Sequence, residues 1–154
     1  MIRVNKILYP TDFSSYSNQA YFHALGLAEA YRASLTVLYV YTPGSEPPPD
    51  GAGGDRRYWK SQLEQIRPAN PSIPVSHVFL EGDAAAEIVR YAADAAVDVI
   101  VLGTHGRTGV ERLLMGSVAE KVMRDAPCSV LVVKLAKGSR PPEQPHVGQA
   151  GNRA

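Results

Sequence analysis

The sequence predicts an α/β fold: a single open sheet of five parallel strands with helices on both faces. Three observations carry this expectation. Five short runs rich in β-branched residues recur along the chain, and helical patterns separate them. Several of the runs are apolar on successive residues, as expected where both faces of a sheet are covered. At 154 residues the chain suffices for one such domain with its own core and is too short for two.

The elements follow in order. "VNKILY", from Val4, is the first strand. Ala20, Ala24, Leu27, Ala28 and Tyr31 then keep the spacing of one buried helix face. "LTVLYVY", from Leu35, is the second strand. The stretch "TPGSEPPPDGAGGD", Thr42 to Asp55, mixes prolines that fix the backbone with glycines that free it and predicts an exposed loop. Trp59, Leu63 and Ile66 mark a shorter helix before the third strand, "VSHVFL", from Val75. Ala85, Ile88, Val89, Ala92 and Ala96 form the next stripe, with Asp83 placed to cap it. "VDVIVL", from Val97, is the fourth strand; Val118, Val122 and Ala119 supply the fourth helix; "CSVLVVK", from Cys128, is the last strand. The arrangement is Rossmann-like. One domain is expected over residues 1–136. From Lys137 onward, residues 137–154 carry too little apolar surface to offset the entropy of ordering and predict a disordered tail.

Composition excludes several classes. With 16 basic against 15 acidic residues the net charge is +1, which offers no broad attraction for nucleic acid or an anionic membrane. The single cysteine, Cys128, allows neither an internal disulfide nor a thiolate zinc site. The N-terminal "MIRVNKILYP" lacks the apolar core of a signal peptide, and no stretch approaches the roughly 20 apolar residues of a membrane span, so a cytoplasmic protein is expected.

The informative stretch is "GTHGRTGVERLLMGSV", Gly103 to Val118, directly after the fourth apolar run. Ligands of open parallel sheets bind beyond the carboxyl ends of the strands, where neighbouring connections diverge. If the first and fourth strands are neighbours, "PTDFSS", Pro10 to Ser15, faces the glycine stretch across one cleft. Gly103, Gly106, Gly109 and Gly116 lack Cβ atoms, so the backbone is free to take positive φ and to approach a ligand with its amides. Ser117 opens the next helix, whose N-terminus favours an anion, and phosphate is the natural guest. At about 1.5 to 3 kcal/mol per charge-assisted hydrogen bond, three or four such amides suffice for micromolar binding, which needs about 8 kcal/mol net.

The spacing Gly103, two residues, Gly106, nine residues, Gly116-Ser117 resembles the G-2x-G-9x-G-S/T pattern of ATP-binding universal stress proteins. "ILYPTDFS", "EGDAAAEIVRYA", "DVIVLGTHGRTG", "LLMGSVAEKVM" and "CSVLVV" are similar to that family in the same order, from Met1 to about Lys134. The resemblance implies that Pro10, Thr11 and Asp12 border the adenosine, with Asp12 near the ribose, and that Val40 contacts the adenine through its backbone. It implies that Leu102, Gly103, Thr104, His105, Gly106, Arg107, Thr108 and Gly109 wrap the ribose and phosphates, with Arg107 adding charge, while Gly116, Ser117 and Val118 close the pocket. Each has a plainer alternative: Asp12 as a cap of the first helix, Val40 as core, His105 and Arg107 as solvated loop residues, Ser117 as a cap. "PCSV" stands where "CPV" is common in the family, and the loop "EPPPDGAGG" is less typical.

Catalytic signatures are missing. There is no G-x-x-x-x-G-K-[ST] loop, G-x-S-x-G elbow or H-E-x-x-H pair, and the H-x-G-H and S-G-G-x-D-S motifs of related enzyme families do not occur. His23, His77, His105 and His146 are scattered, with His23 expected in solvent and His77 on a strand face. Without a positioned base, slow hydrolysis is the most to expect. The leading expectation is a regulatory protein that binds ATP with Mg²⁺ and signals to a protein partner. The alternatives are a genuine ATPase or nucleotidyl-transferring enzyme on the same fold, or an interaction module without nucleotide. A homodimer through the last strand, Ser129 to Val133, would cover an apolar sheet edge.

Overall fold

The computed structural model describes residues 1–44, 55–105 and 115–134. Within them the elements run β1 (Lys6–Pro10), α1 (Ser15–Tyr31), β2 (Ser34–Tyr41), α2 (Arg56–Glu64), β3 (Val75–Glu81), α3 (Ala84–Asp94), β4 (Val99–Gly103), α4 (Ser117–Asp125) and β5 (Ser129–Val133). The five strands form one parallel sheet in the order β3-β2-β1-β4-β5, as the alternation of strand and helix predicts.

Side chains alternate across the strands and so build two cores. Ile7, Tyr9, Leu35, Val37, Tyr39 and Val101 pack with Ala20, Tyr21, Ala24 and Ala28 of α1 and with Trp59 and Leu63 of α2. Leu8, Leu38, Val40, Ile100 and Leu102 pack on the other face with Ala85, Ile88 and Ala92 of α3 and with Ala119 and Val122 of α4. Central strands are therefore buried on consecutive residues, because neither face meets water. Burying each such Leu or Ile stabilises the fold by about 1.5 to 3 kcal/mol.

Local chemistry sets the helix ends. The Ser14 hydroxyl caps α1 by accepting from the Ser17 amide at 3.2 Å, and Asp83 caps α3, as expected, by accepting from the Ala86 amide at 3.0 Å. Asp55 does the same for α2 with the Tyr58 amide. Four expected stripe positions differ. Tyr31 is exposed at the end of α1, whereas Tyr21, which the stripe omits, is buried. Ala96 lies beyond α3 in a left-handed turn, φ 53°, that carries the chain into β4. Val118 is 38% exposed, because Ala119 and Val122 take the inward face of α4. Ile66 is buried but follows the end of α2, and its carbonyl bonds the ring of His77 on β3. His23 is exposed.

At the amino ends of β1 and β4, the Asp98 carboxylate accepts the amides of Asn5 at 2.8 Å and Lys6 at 2.9 Å. These backbone bonds hold its carboxyl below the usual range. Residues 45–54 of the Pro/Gly loop and the expected tail from Lys137 lie outside the described residues. Among the described residues, no helix is long and apolar enough to cross a membrane.

Candidate functional site

β1 and β4 are neighbours, but they pair only through Ile7 with Val99 and Leu8 with Ile100. The reason lies in the alternation of peptide groups along a strand. Thr11 donates its amide to Leu38 of β2, and Lys6 accepts from Asp98 on the β4 side, so the even residues of β1 face β4. Pro10, the next even residue after Leu8, has no N–H to give. Beyond Leu8 the strands part and a crevice of about 210 Å³ opens at their carboxyl ends. It lies at the point where the chain reverses its direction of travel across the sheet, since β1 leads outward to β2 while β4 leads outward to β5.

One wall is the turn after β1. Pro10, Thr11 and Asp12 line it together with Ser17 from α1. The Thr11 hydroxyl accepts the Phe13 amide at 3.0 Å, and Asp12 Oδ1 accepts the Ser14 amide at 2.9 Å. Between these two bonds Phe13 stands at φ 62°, a conformation costing of order 1–3 kcal/mol for a bulky residue. Aromatic packing holds it there: the Phe13 ring stacks on Trp59 at 5.2 Å and tilts against Tyr39 at 4.9 Å. Asp12 is not the cap of α1. The turn carries the chain two residues further, and Ser14 takes that role. Beneath it the Tyr9 phenol bonds the Ser17 carbonyl at 2.7 Å, and burial raises its pKa well above the ordinary tyrosine value.

The opposite wall comes from β4 and α4. Leu102, Gly103, Thr104 and His105 line it, then Gly116, Ser117, Val118 and Ala119. Gly103 is required for a different reason than expected. A Cβ there would lie 2.6 Å from the Tyr16 carbonyl oxygen, so the missing side chain makes room for the first turn of α1, and its φ is not positive. Gly116 likewise has φ −72°, an ordinary extended residue that stands as the N-cap of α4 without a side chain to cap with. Ser117 is the first residue of the helix, so it is not the cap; the amides of the first turn meet no side-chain acceptor of the cap residue. The amide of Gly116 donates to the Thr104 carbonyl, and that of Thr104 to Val133 of β5. His105 Nδ1 sits 3.0 Å from Thr104 Oγ1, and its ring packs on Tyr16 at 5.1 Å. Gly106, Arg107, Thr108 and Gly109 lie outside the described residues.

The floor is apolar. Val40 is buried in the core beside Leu38 and also lines the crevice. Ala84 and Ile88 of α3, with Leu38 and Tyr39 of β2, complete this lining; sequence reasoning missed them, as it missed Ser17 and Ala119. Ile88 and Ala119 belong to the buried helix stripes, but a stripe shows that a residue faces the sheet, not which end of a strand it meets.

A doubly wound parallel sheet with a two-walled crevice at its switch point defines a class of small-ligand-binding domains. Residues 3–134 match the Universal stress protein family, and the chain belongs to that family. It is 35% identical over 147 residues to Universal stress protein MJ0531 of Methanocaldococcus jannaschii, covering 86% of this chain and 83% of that one. Universal stress protein UspA from Lactobacillus plantarum shares the fold with a TM-score of 0.71 at 25% identity, covering 86% of this chain and 99% of that one. A universal stress protein solved in complex with cAMP shares it with a TM-score of 0.65 at 23% identity, covering 86% and 98%.

Proposed function

We propose that the chain binds an adenine nucleotide in the crevice between β1 and β4 and acts as a nucleotide-dependent stress-response regulator. The observation that carries this reading is the division of chemistry across the crevice: an apolar floor, acceptors on the β1 wall, and a helix N-terminus with no capping side chain on the α4 wall. A base fits the floor, sugar hydroxyls fit the acceptors, and phosphate fits the amides. A relative with the same fold was solved with cAMP, though at 23% identity that likeness speaks for fold alone.

ATP with Mg²⁺ is the form we assign. In this reading the cation is carried mainly by phosphate and water. Hydrolysis is slow at most in this reading: the Asp12 carboxylate is engaged by the Ser14 amide and the His105 ring by Thr104. Gly106, Arg107, Thr108 and Gly109 complete the phosphate side in this reading. Mass spectrometry of ligand released from the purified protein should find an adenine nucleotide, and titration with Mg·ATP, ADP and AMP should give saturable heats with ATP tightest. Absence of any saturable heat at millimolar nucleotide would refute the reading.

The same reading includes a cytoplasmic setting, one nucleotide-binding domain over 1–136, and a homodimer through Ser129 to Val133. β5 is a sheet edge, with Leu131 on it and Met123 on α4 both exposed. Light scattering should give twice the chain mass, and Leu131→Arg should return the monomer.

A further inference from the structure

Three hydroxyls meet where β1 passes into α1, and their protons can be assigned. The Tyr9 hydroxyl donates to the Ser17 carbonyl at 2.7 Å. The Ser17 hydroxyl donates to the Ser14 carbonyl at 3.1 Å, because a carbonyl only accepts. Thr11 Oγ1 lies 3.1 Å from Ser17 Oγ. With the Ser17 proton on the Ser14 carbonyl and the Tyr9 proton on the Ser17 carbonyl, the remaining proton of the cluster belongs to Thr11, which meets Ser17 Oγ and also has the Tyr9 phenol as a side-chain partner. Thr11 also accepts the Phe13 amide. A hydroxyl has one proton and two lone pairs, so one lone pair of Thr11 remains. Thr11 and Ser17 are each only 5% exposed, which leaves bulk water little access to compete for these bonds, and both line the crevice.

We propose that Ser17 is a positioning residue: by taking the Thr11 proton it turns Thr11 into a pure acceptor toward the crevice, so that this wall selects a ligand hydroxyl and rejects an acceptor put in its place. The inference rests on the nucleotide reading and deepens it, since the group selected is a sugar hydroxyl. Asp12 beside it is itself an acceptor, with Oδ1 on the Ser14 amide. Two neighbouring acceptors repel phosphate oxygens, which directs the anion to the α4 wall. Ser17 is fixed in turn from both sides, its amide by Ser14 and its carbonyl by Tyr9, while the absent side chain of Gly103 admits the Tyr16–Ser17 backbone.

The test is calorimetric titration of the full chain with ATP and with its 2′-deoxy, 2′-fluoro, 3′-deoxy and 3′-fluoro analogues. Fluorine accepts weakly and cannot donate. At one of the two positions the hydroxyl should bind at least about tenfold tighter than hydrogen, with fluorine no better than hydrogen. In Ser17→Ala the Thr11 proton is released to the crevice, and the fluoro analogue should rise above the deoxy one. A site that had merely loosened would weaken all analogues alike. Ser17→Cys keeps a weak acceptor and should fall between. Fluorine matching hydroxyl in the wild type, equal binding of all analogues, or an unchanged ranking in a folded Ser17→Ala would each overturn the inference. If Ser17→Ala does not fold, Ser17→Cys carries the comparison, and a wild-type ranking retained in it would overturn the inference. Binding without the ranking overturns this inference only; no binding of any nucleotide overturns the nucleotide reading and this inference with it.

Discussion

The amide of Gly116 donates to the carbonyl of Thr104, so the segment between β4 and α4 leaves and returns at a single point beside the crevice. Thr104 is bonded in turn to Val133 of β5, which ties the start of α4 to the sheet rather than to the loop alone. A helix N-terminus anchored in this way keeps its amides aimed at one place without being reorganised when an anion arrives.

Removing that donor should therefore affect binding more than folding. Gly116→Pro suits the observed φ of −72° and deletes the N–H. We expect a loss of about 0.5 to 1.5 kcal/mol in chemical denaturation, and nucleotide affinity, by equilibrium dialysis, lowered roughly tenfold or more through misplacement of α4. Unchanged affinity in a folded variant would dissociate the clamp from binding.

Gly103→Ala tests packing instead. Its Cβ would sit 2.6 Å from the Tyr16 oxygen, which belongs to backbone and cannot swing aside. Displacing the first turn of α1 should cost about 1 to 3 kcal/mol, read as a lower thermal midpoint without nucleotide. An unaltered midpoint would mean that α1 yields freely there.

Asp98 predicts acid sensitivity. Its folded pKa is lowered, first by the backbone bond from Asn5 and then by that from Lys6. A carboxylate of this kind contributes stability that is fully present above its unfolded pKa of about 3.9 and is lost as pH falls through the lower folded value. Denaturation midpoints of the wild type should thus fall between about pH 5 and pH 3, and Asp98→Asn should flatten part of that slope. Parallel curves for the two proteins would show that the bonds add nothing to stability.

Phe13→Ala should open the turn that presents Asp12. It removes the ring stacked on Trp59 while keeping a residue forced to positive φ. We expect a loss of about 2 to 4 kcal/mol with weakened nucleotide binding. Phe13→Gly relieves φ but not packing, so it should be the less destabilised of the two, and the reverse order would exclude strain.

Much of this molecule was legible in the chain, for reasons that are local. Strand and helix follow from periodicity, which is a property of neighbours in sequence: the run Leu35 to Tyr41 and the stripe Ala85, Ile88, Ala92 appear where expected. Asp83 was recognisable as a cap because a cap bonds the amide three residues on. A cleft shared by β1 and β4 follows from the sequence only on the condition that the two strands are neighbours, and the sheet order meets it.

What the tertiary structure alone decided depends on groups far apart in sequence. No local pattern says that Gly103 must yield space to Tyr16, that Pro10 ends pairing with β4, or that Asp12 leaves the capping of α1 to Ser14. Thr11 meets Ser17, a helix residue itself bonded to Ser14 and Tyr9, only because the turn after β1 folds back on α1. Residue types and their spacing limit what each segment can do, whereas close approach and hydrogen-bond direction are set only when the sheet brings those segments together.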